Sequence, residues 1–315
     1  MPRRPEPLPA HLGARFAVRD ARAAGVGAGR LRGADLRAPF WGVRARPLAA
    51  TEGDGIVDVG ARELRHAVDA HAQRMPQTRF FTGLSALVVW LGLLPVHGVP
   101  PVDVGVFAPE RTPRARGVRG HQVGRHLASV VVRDGLRVTS PASTWASLAR
   151  DLDERDLIAV GSLLVTSPRG PGGRVCGAAP TTTAALAAAT AAGPRTGVEK
   201  LRAALPWVRE GARSRPEAHL FLALVAAGLP EPRYDHEVFD HDGRLIGVFD
   251  LAFGRERVLV EYQGDYHRLS SAAWAADVRK RARAREAGWV VIDVMRADLY
   301  PDPAPAVARV AAALP

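Results

Sequence analysis

The chain has 315 residues, 47% of them hydrophobic and 24% charged, a balance that excludes wholesale disorder and suits one large domain or two to three smaller ones. The longest apolar run, Leu84 to Val96, is too short to span a bilayer, the basic start MPRRPEPLPAH has no apolar core behind it, and Cys176 alone allows neither a disulfide nor a Cys-rich zinc site. Formal net charge is +11, carried by the first two thirds: residues 1–211 hold 29 basic against 17 acidic groups, residues 212–315 hold 14 against 15.

A soluble, cytoplasmic protein with no membrane partner is therefore expected, and a basic body suits a polyanion such as nucleic acid. Arginine outnumbers lysine 41 to 2, however, and alanine is abundant, which a GC-rich coding bias also produces. Charge by itself leaves both readings open.

In Ala14–Ala24, Phe16, Val18, Ala21 and Ala24 fall near one helical face, with Arg15, Arg19 and Arg22 opposite. Gly25-Val26-Gly27 is a tight break, and Ala28–Leu36, carrying Arg30 and Arg32, predicts a second short helix. Pro39–Pro47, with Arg44, reads as an extended hairpin arm. Helix, turn, helix and basic arm is the layout of a winged helix-turn-helix, expected over residues 1–60 as a DNA-binding region. A plain helical hairpin is the alternative.

Residues 61–166 are expected to be a mixed α/β middle domain. Helices are predicted at Ala61–Met75, Gly83–Trp90, Ser143–Leu152 and Asp156–Leu164, and a strand at Val102–Phe107. Arg111–His126 concentrates Arg111, Arg114, Arg116, Arg119 and Arg125. It is either a solvated loop or a phosphate contact, since the arginine fork matches phosphate oxygens. His121 and His126 have no Cys or carboxylate neighbour in sequence, so no metal site is expected there. Residues 167–197, rich in Pro, Gly, Thr and Ala, read as a linker, with 181–190 able to form a short helix.

Residues 198–315 carry the chemistry. Ser214-Arg-Pro-Glu217 opens a helix running to Gly228, with a Ser cap, Pro in the first turn and an acid at the positive end. Strands follow around His236–Phe239, Leu245–Phe253 and Arg257–Gln263, then a polar helix Ala272–Ala287, a strand Trp289–Met295 and a helix Pro303–Leu314. Alternation puts Val248, Asp250 and Ala252 on one face, and Leu259, Glu261 and Gln263 on one face of the next strand. Two carboxylates on adjacent buried strands need a cation to offset them, and oxygen ligands suit magnesium.

The run Glu217…Asp250…Glu261-Tyr-Gln263-Gly-Asp-Tyr-His267, followed by a helix with Asp277 and Arg281 and then Gly288-Trp289, resembles the PD-(D/E)XK nuclease superfamily. More narrowly, SRPEAHLFLALVAAGLPEP and VLVEYQGDYHR look like the Vsr-like endonuclease domains found as C-terminal modules in actinobacterial proteins. The N-terminal parts resemble, more loosely, the winged-helix and middle regions of AbiEi-type antitoxin or regulator proteins. The resemblance implies a restriction-endonuclease-like αβββαβ fold over 198–315. It also implies Mg²⁺ (or Mn²⁺) bound by Asp250 and Glu261, with the Tyr262 carbonyl, and Glu217 acting through water. Gln263 stands where the superfamily usually has a lysine. Glutamine can hold a water but cannot accept a proton at neutral pH, which leaves His267 as a candidate proton shuttle.

Plainer readings stand beside these. Asp250 and Glu261 could pair with Arg279 or Arg281, Glu217 could be only a helix-end acid, His267 could be structural, and Asp277 with Arg281 could be an ordinary i,i+4 pair. The expectation is a Mg²⁺-dependent DNA endonuclease targeted by a basic N-terminal region, with Arg30, Arg32, Arg44, Arg114, Arg116 and Arg119 as DNA contacts. A homodimer would suit cutting of both strands, but nothing in the pattern requires one. The competing expectations are a DNA-binding regulator with a degenerate nuclease fold and an RNA-directed nuclease.

Overall fold

The computed structural model describes residues 5–47, 59–170, 173–264 and 271–315. They divide into two compact units, one reaching Leu148 and the other running from Ala149 to Pro315. Among the described residues no helix is long and apolar enough to cross a membrane.

At the start of the first unit, β1 (Arg15–Ala17) leads directly into α1 (Val18–Ala23), and β2 (Val43–Ala45) pairs antiparallel with β1. The first expected helix is thereby shortened to Val18–Ala23. Arg15–Ala17 is strand rather than helix, because it takes the hairpin arm as its partner with Phe16 opposite Arg44. The expected second helix is a three-residue 3₁₀ turn, Arg30–Arg32. Gly25, Gly27, Gly29 and Gly33 crowd this stretch, and each glycine costs a helix about 1 kcal/mol relative to alanine. Leu8, Leu12, Phe16, Ala21 and Leu31 close a small core beneath it.

The rest of this unit is a five-stranded sheet in the order β5 (Val118–Val123), β4 (Val102–Phe107), β3 (Phe80–Phe81), β7 (Leu136–Thr139) and β6 (Val130–Arg133). It carries α2 (Val59–Ala72), α3 (Gly83–Leu91) and α4 (Pro141–Leu148). The α3 sequence GLSALVVWL is apolar nearly all round, and its residues Gly83–Val89 are all buried. Trp145, Phe80, Phe81, Leu64 and Leu87 are fully enclosed.

The Arg111–His126 run is not all loop, because β5 runs through it and pairs parallel with β4. That register brings Arg119 and His121 to the fully buried Asp103: His121 Nε2 lies 2.7 Å and Arg119 Nη2 3.1 Å from its oxygens, and the Leu84 N–H donates at 3.1 Å. His121 thus has the carboxylate neighbour that its sequence surroundings lack. Burial pushes the Asp103 carboxyl up, but the hydrogen bonds from His121 and Arg119 outweigh it and hold the group below its ordinary range.

The second unit begins earlier than the expected middle domain ends. Helix α5 (Glu154–Val165) belongs to it, packed against α7 (Val198–Ala204) and α8 (Arg215–Ala226). Asp156 of α5 accepts from Arg215 Nη2 at 2.9 Å and lies 3.0 Å from His219 Nε2, whose Nδ1 meets the Tyr300 hydroxyl at 2.7 Å. The expected linker 167–197 holds α6 (Thr183–Ala191), capped by Thr182.

From α8 the chain makes β8 (Arg233–Phe239), β9 (Leu245–Phe253), β10 (Val258–Gln263), α9 (Ser271–Glu286), β11 (Val290–Met295), α10 (Arg296–Leu299) and α11 (Ala304–Ala311). The sheet order is β11-β10-β9-β8, antiparallel except for the β10–β11 pair. Leu251, Phe253, Val258 and Val260 pack with Leu220, Phe221 and Leu224 of α8, while Ala252 and Leu259 pack with Ala284 of α9. Helices therefore cover both faces of the sheet, α8 with α10 and α11 on one and α9 on the other, and alternation along β9 and β10 decides which residues meet which face.

Candidate functional site

The site grows from the fork between β9 and β10. Their ladder pairs Val258 with Phe253, Leu259 with Ala252 and Val260 with Leu251. One further step sets Glu261 against Asp250, and there the backbone pairing stops. Asp250 Oδ2 instead accepts the Tyr262 N–H at 2.8 Å. A side chain has replaced a main-chain acceptor, so the strands can part and leave two carboxylates at the opening.

Glu217 reaches the same place from α8. Ser214 caps that helix by accepting the Glu217 N–H at 3.3 Å, and Glu217 Oε2 takes the Arg213 N–H at 2.8 Å. The cap, worth about 1 kcal/mol, fixes where the first turn points. Glu217 is buried, and burial, reinforced by the Glu261 charge, raises its carboxyl to about 7 against the pull of Ser214 and Arg213. Glu261 is also buried and is raised to about 7, by burial first and the Asp250 charge second. Asp250 is lifted well above its ordinary value by lost solvation and by Glu217. The three carboxyls hold one another up, which marks a place short of positive charge.

Some of that charge comes from a residue that the sequence reading did not select. Lys280 of α9 donates to Glu261 Oε1 at 2.6 Å and to the Val248 carbonyl at 3.1 Å, with Nζ 4.4 Å from the centre of the Phe249 ring. Its stem crosses β9 at Gly247, where any Cβ would lie 2.6 Å from Lys280 Cδ. A glycine in mid-strand is thus the gate through which the lysine passes.

Gln263 is engaged by another partner. Its Nε2 donates to Asp293 Oδ1 at 2.7 Å, and Arg281 Nη1 reaches the same oxygen at 2.8 Å while Nη2 holds Asp277 at 2.8 Å. Neither expected arginine partner serves the carboxylate pair: Lys280 takes Glu261, Arg281 goes to Asp277 and Asp293, and Arg279 is exposed. His267 lies outside the described residues. Among the described residues no group of three or more His, Cys, Asp or Glu side chains is spaced to hold a metal ion. The donor chemistry of Asp250, Glu261 and Glu217 nevertheless fits a hard divalent cation. All three offer oxygens, and their raised proton affinities show that added positive charge would be welcome.

The arginines singled out in the first unit separate into two kinds. Arg30 forks onto Asp35 at 2.9 and 2.7 Å and donates to the Glu6 carbonyl. Arg44 donates to the Leu31 and Val43 carbonyls, and Arg119 to Asp103. Arg32, Arg114 and Arg116 are exposed.

No family model matches the chain. It is similar to two uncharacterized proteins of Mycobacterium tuberculosis, from strains CDC 1551 and H37Rv, with 28% identity over 117 residues in each case. The matched stretch covers 37% of this chain and 43% of each relative, so the similarity spans less than half of those proteins.

Proposed function

We propose that the second unit is a divalent-metal-dependent nuclease that hydrolyses DNA phosphodiester bonds, and that the first unit contributes DNA binding through its exposed arginines. One observation carries this reading: Glu217, Asp250 and Glu261 converge at the β9–β10 fork with raised proton affinities and with Lys280 beside them. The element order α8-β8-β9-β10-α9-β11 supports the restriction-endonuclease-like fold that the sequence resemblance implies.

Asp250 and Glu261 would hold Mg²⁺ or Mn²⁺, with Glu217 behind them. When bound, the metal supplies Lewis-acid stabilisation of phosphate oxygens and a more acidic water. The chain's own contribution is clearest at Lys280. Its ammonium, fixed by the Val248 carbonyl, pulls the Glu261 proton affinity down against the rise that burial causes, and supplies the positive charge that Gln263 lacks. Such a group can orient an attacking water and offset charge developing on a phosphorane. Gln263, tied to Asp293, keeps β10 and β11 in register beneath the fork. Arg32, Arg114 and Arg116 would take phosphates, so binding should weaken steeply with salt.

The test is nicking of supercoiled plasmid by the full chain with Mg²⁺ or Mn²⁺, with EDTA, and with the variants Asp250→Ala, Glu261→Ala and Lys280→Ala. Metal-dependent nicking lost in the carboxylate variants and reduced on the order of 10²-fold or more in Lys280→Ala is expected. Failure of the wild type to cut plasmid, linear duplex, single strands or RNA would reject the nuclease reading. Tight, salt-sensitive duplex binding in that protein would mark a regulator.

A further inference from the structure

Trp41 is 87% exposed, yet its carbonyl and one face of its ring are both engaged by a neighbour. It sits in a tight turn closed by the Val43 N–H donating to the Phe40 carbonyl at 3.1 Å, with Gly42 at φ +72°. Arg74 Nη1 donates to the Trp41 carbonyl at 3.2 Å, and its guanidinium carbon lies 4.6 Å from the indole centroid. A side chain at Gly42 would run into that guanidinium. An indole left in water gives the fold no burial energy, so its exposure here suits contact with something else.

The surroundings say what. On one side of Trp41 lies a groove of about 760 Å³ lined with Arg19, Arg22, Arg44 and Arg74. On the other side a second groove of about 820 Å³ is lined with His71, Arg74, Arg79 and Arg116. Neither lining includes a carboxylate; Asp20, outside both, pairs with Arg19 at 3.1 Å. In the second groove Arg79 Nε and His71 Nε2 are buried with no hydrogen-bond partner among the described residues. Burial and the nearby Arg79 charge lower the His71 ring to about 4, which leaves it neutral at pH 7.

We propose that this ridge binds single-stranded nucleic acid, with an unpaired base stacked on the free face of Trp41 and the flanking phosphates held by the arginines of the two grooves. An aromatic platform between basic channels is the physical requirement for strand binding without base reading. A duplex hides its base faces, so the stacking contact selects unpaired nucleotides. The inference stands on the first unit alone and goes beyond the nuclease reading.

The test is fluorescence anisotropy of the full chain in EDTA with labelled 20-nucleotide oligothymidylate, oligouridylate, and an oligothymidylate–oligoadenylate duplex. Trp41→Ala should weaken binding to the single strands by roughly 10- to 100-fold and leave the salt dependence unchanged. Trp41→Phe should retain most of the affinity, whereas Arg22→Ala and Arg116→Ala should each lower the salt slope by about 0.7. Equal loss on single strand and duplex, no loss in Trp41→Ala, or equally tight Trp41-dependent binding of polyglutamate would overturn the proposal. Because EDTA removes metal, a chain that binds as described but never cuts DNA sinks the nuclease reading and leaves this one intact.

Discussion

The three carboxyls at the fork make stability of the second unit depend on pH in an unusual direction. Glu217 and Glu261 titrate near 7 when folded, against 4.5 for a free glutamate. Each binds its proton more tightly in the folded chain, so its stabilising contribution is complete below about pH 4.5 and is lost as pH rises through 7. At 1.36 kcal/mol per tenfold change in proton affinity, each group accounts for about 3 kcal/mol across that window. The Glu261 charge also raises Glu217, so Glu261→Gln should remove its own share and part of Glu217's. Hydrogen exchange of β9 and β10 in the full chain, in EDTA and corrected for the intrinsic rate, reads this directly. Protection should fall by about a hundredfold or more from pH 5 to pH 8, fall much less in Glu261→Gln, and recover at pH 8 when Mg²⁺ is restored. Protection that is level or rises over this range would refute the reasoning, because solvated carboxylates do not gain protons on folding.

The remaining predictions test other joints. Gly247→Val should push the Lys280 stem off β9 and reproduce the Lys280→Ala loss of nicking while leaving Glu261 in place, measured by the same plasmid assay. Arg30→Ala should lower the unfolding midpoint of the first unit with little change in the salt slope of DNA binding, since its fork is spent on Asp35. Arg32→Ala should do the reverse, and salt titrations beside thermal melts separate the two. Asp156→Ala should destabilise the second unit on the order of 2 to 3 kcal/mol in urea, less than a fully buried pair because Arg215 is partly exposed. Exchange should then quicken in α5 and α8 ahead of the sheet.

The second unit was the more legible from sequence because its signals are local. Period-two alternation marks β9 and β10, and the Ser214 cap with Pro216 and Glu217 marks the start of α8. The first unit is less legible because its strands depend on distant partners. Phe80–Phe81 is a two-residue strand that exists only between Val104–Gly105 and Val138, and β5 is a strand because β4 lies beside it despite its arginines. The N-terminal helices are shorter than expected for a related reason. Apolar spacing over Ala14–Ala24 fits a helix, but pairing with β2 claims Arg15–Ala17, and glycines keep Arg30–Arg32 from growing past one turn.

Lys280 shows where a linear reading of the site stops. Spacing along one strand directs attention to Gln263, two residues past Glu261, because strand neighbours two apart share a face. The cation instead arrives from a helix 19 residues further on, across the sheet, through a gap that exists because β9 has a glycine at 247. One signal was present. In a chain with 41 arginines and 2 lysines, position 280 holds one of the two lysines. A guanidinium is broad, planar and stiff, whereas an ammonium on an unbranched stem fits between Gly247, the Val248 carbonyl and the Phe249 ring. Lys280→Arg is therefore not a conservative change here. It should keep the charge yet lose the Val248 and Glu261 contacts together, and a nicking rate close to that of Lys280→Ala, with folding intact by circular dichroism, is the expected outcome. Wild-type nicking by Lys280→Arg would show that charge alone, and not the ammonium held at that point, is what the site requires.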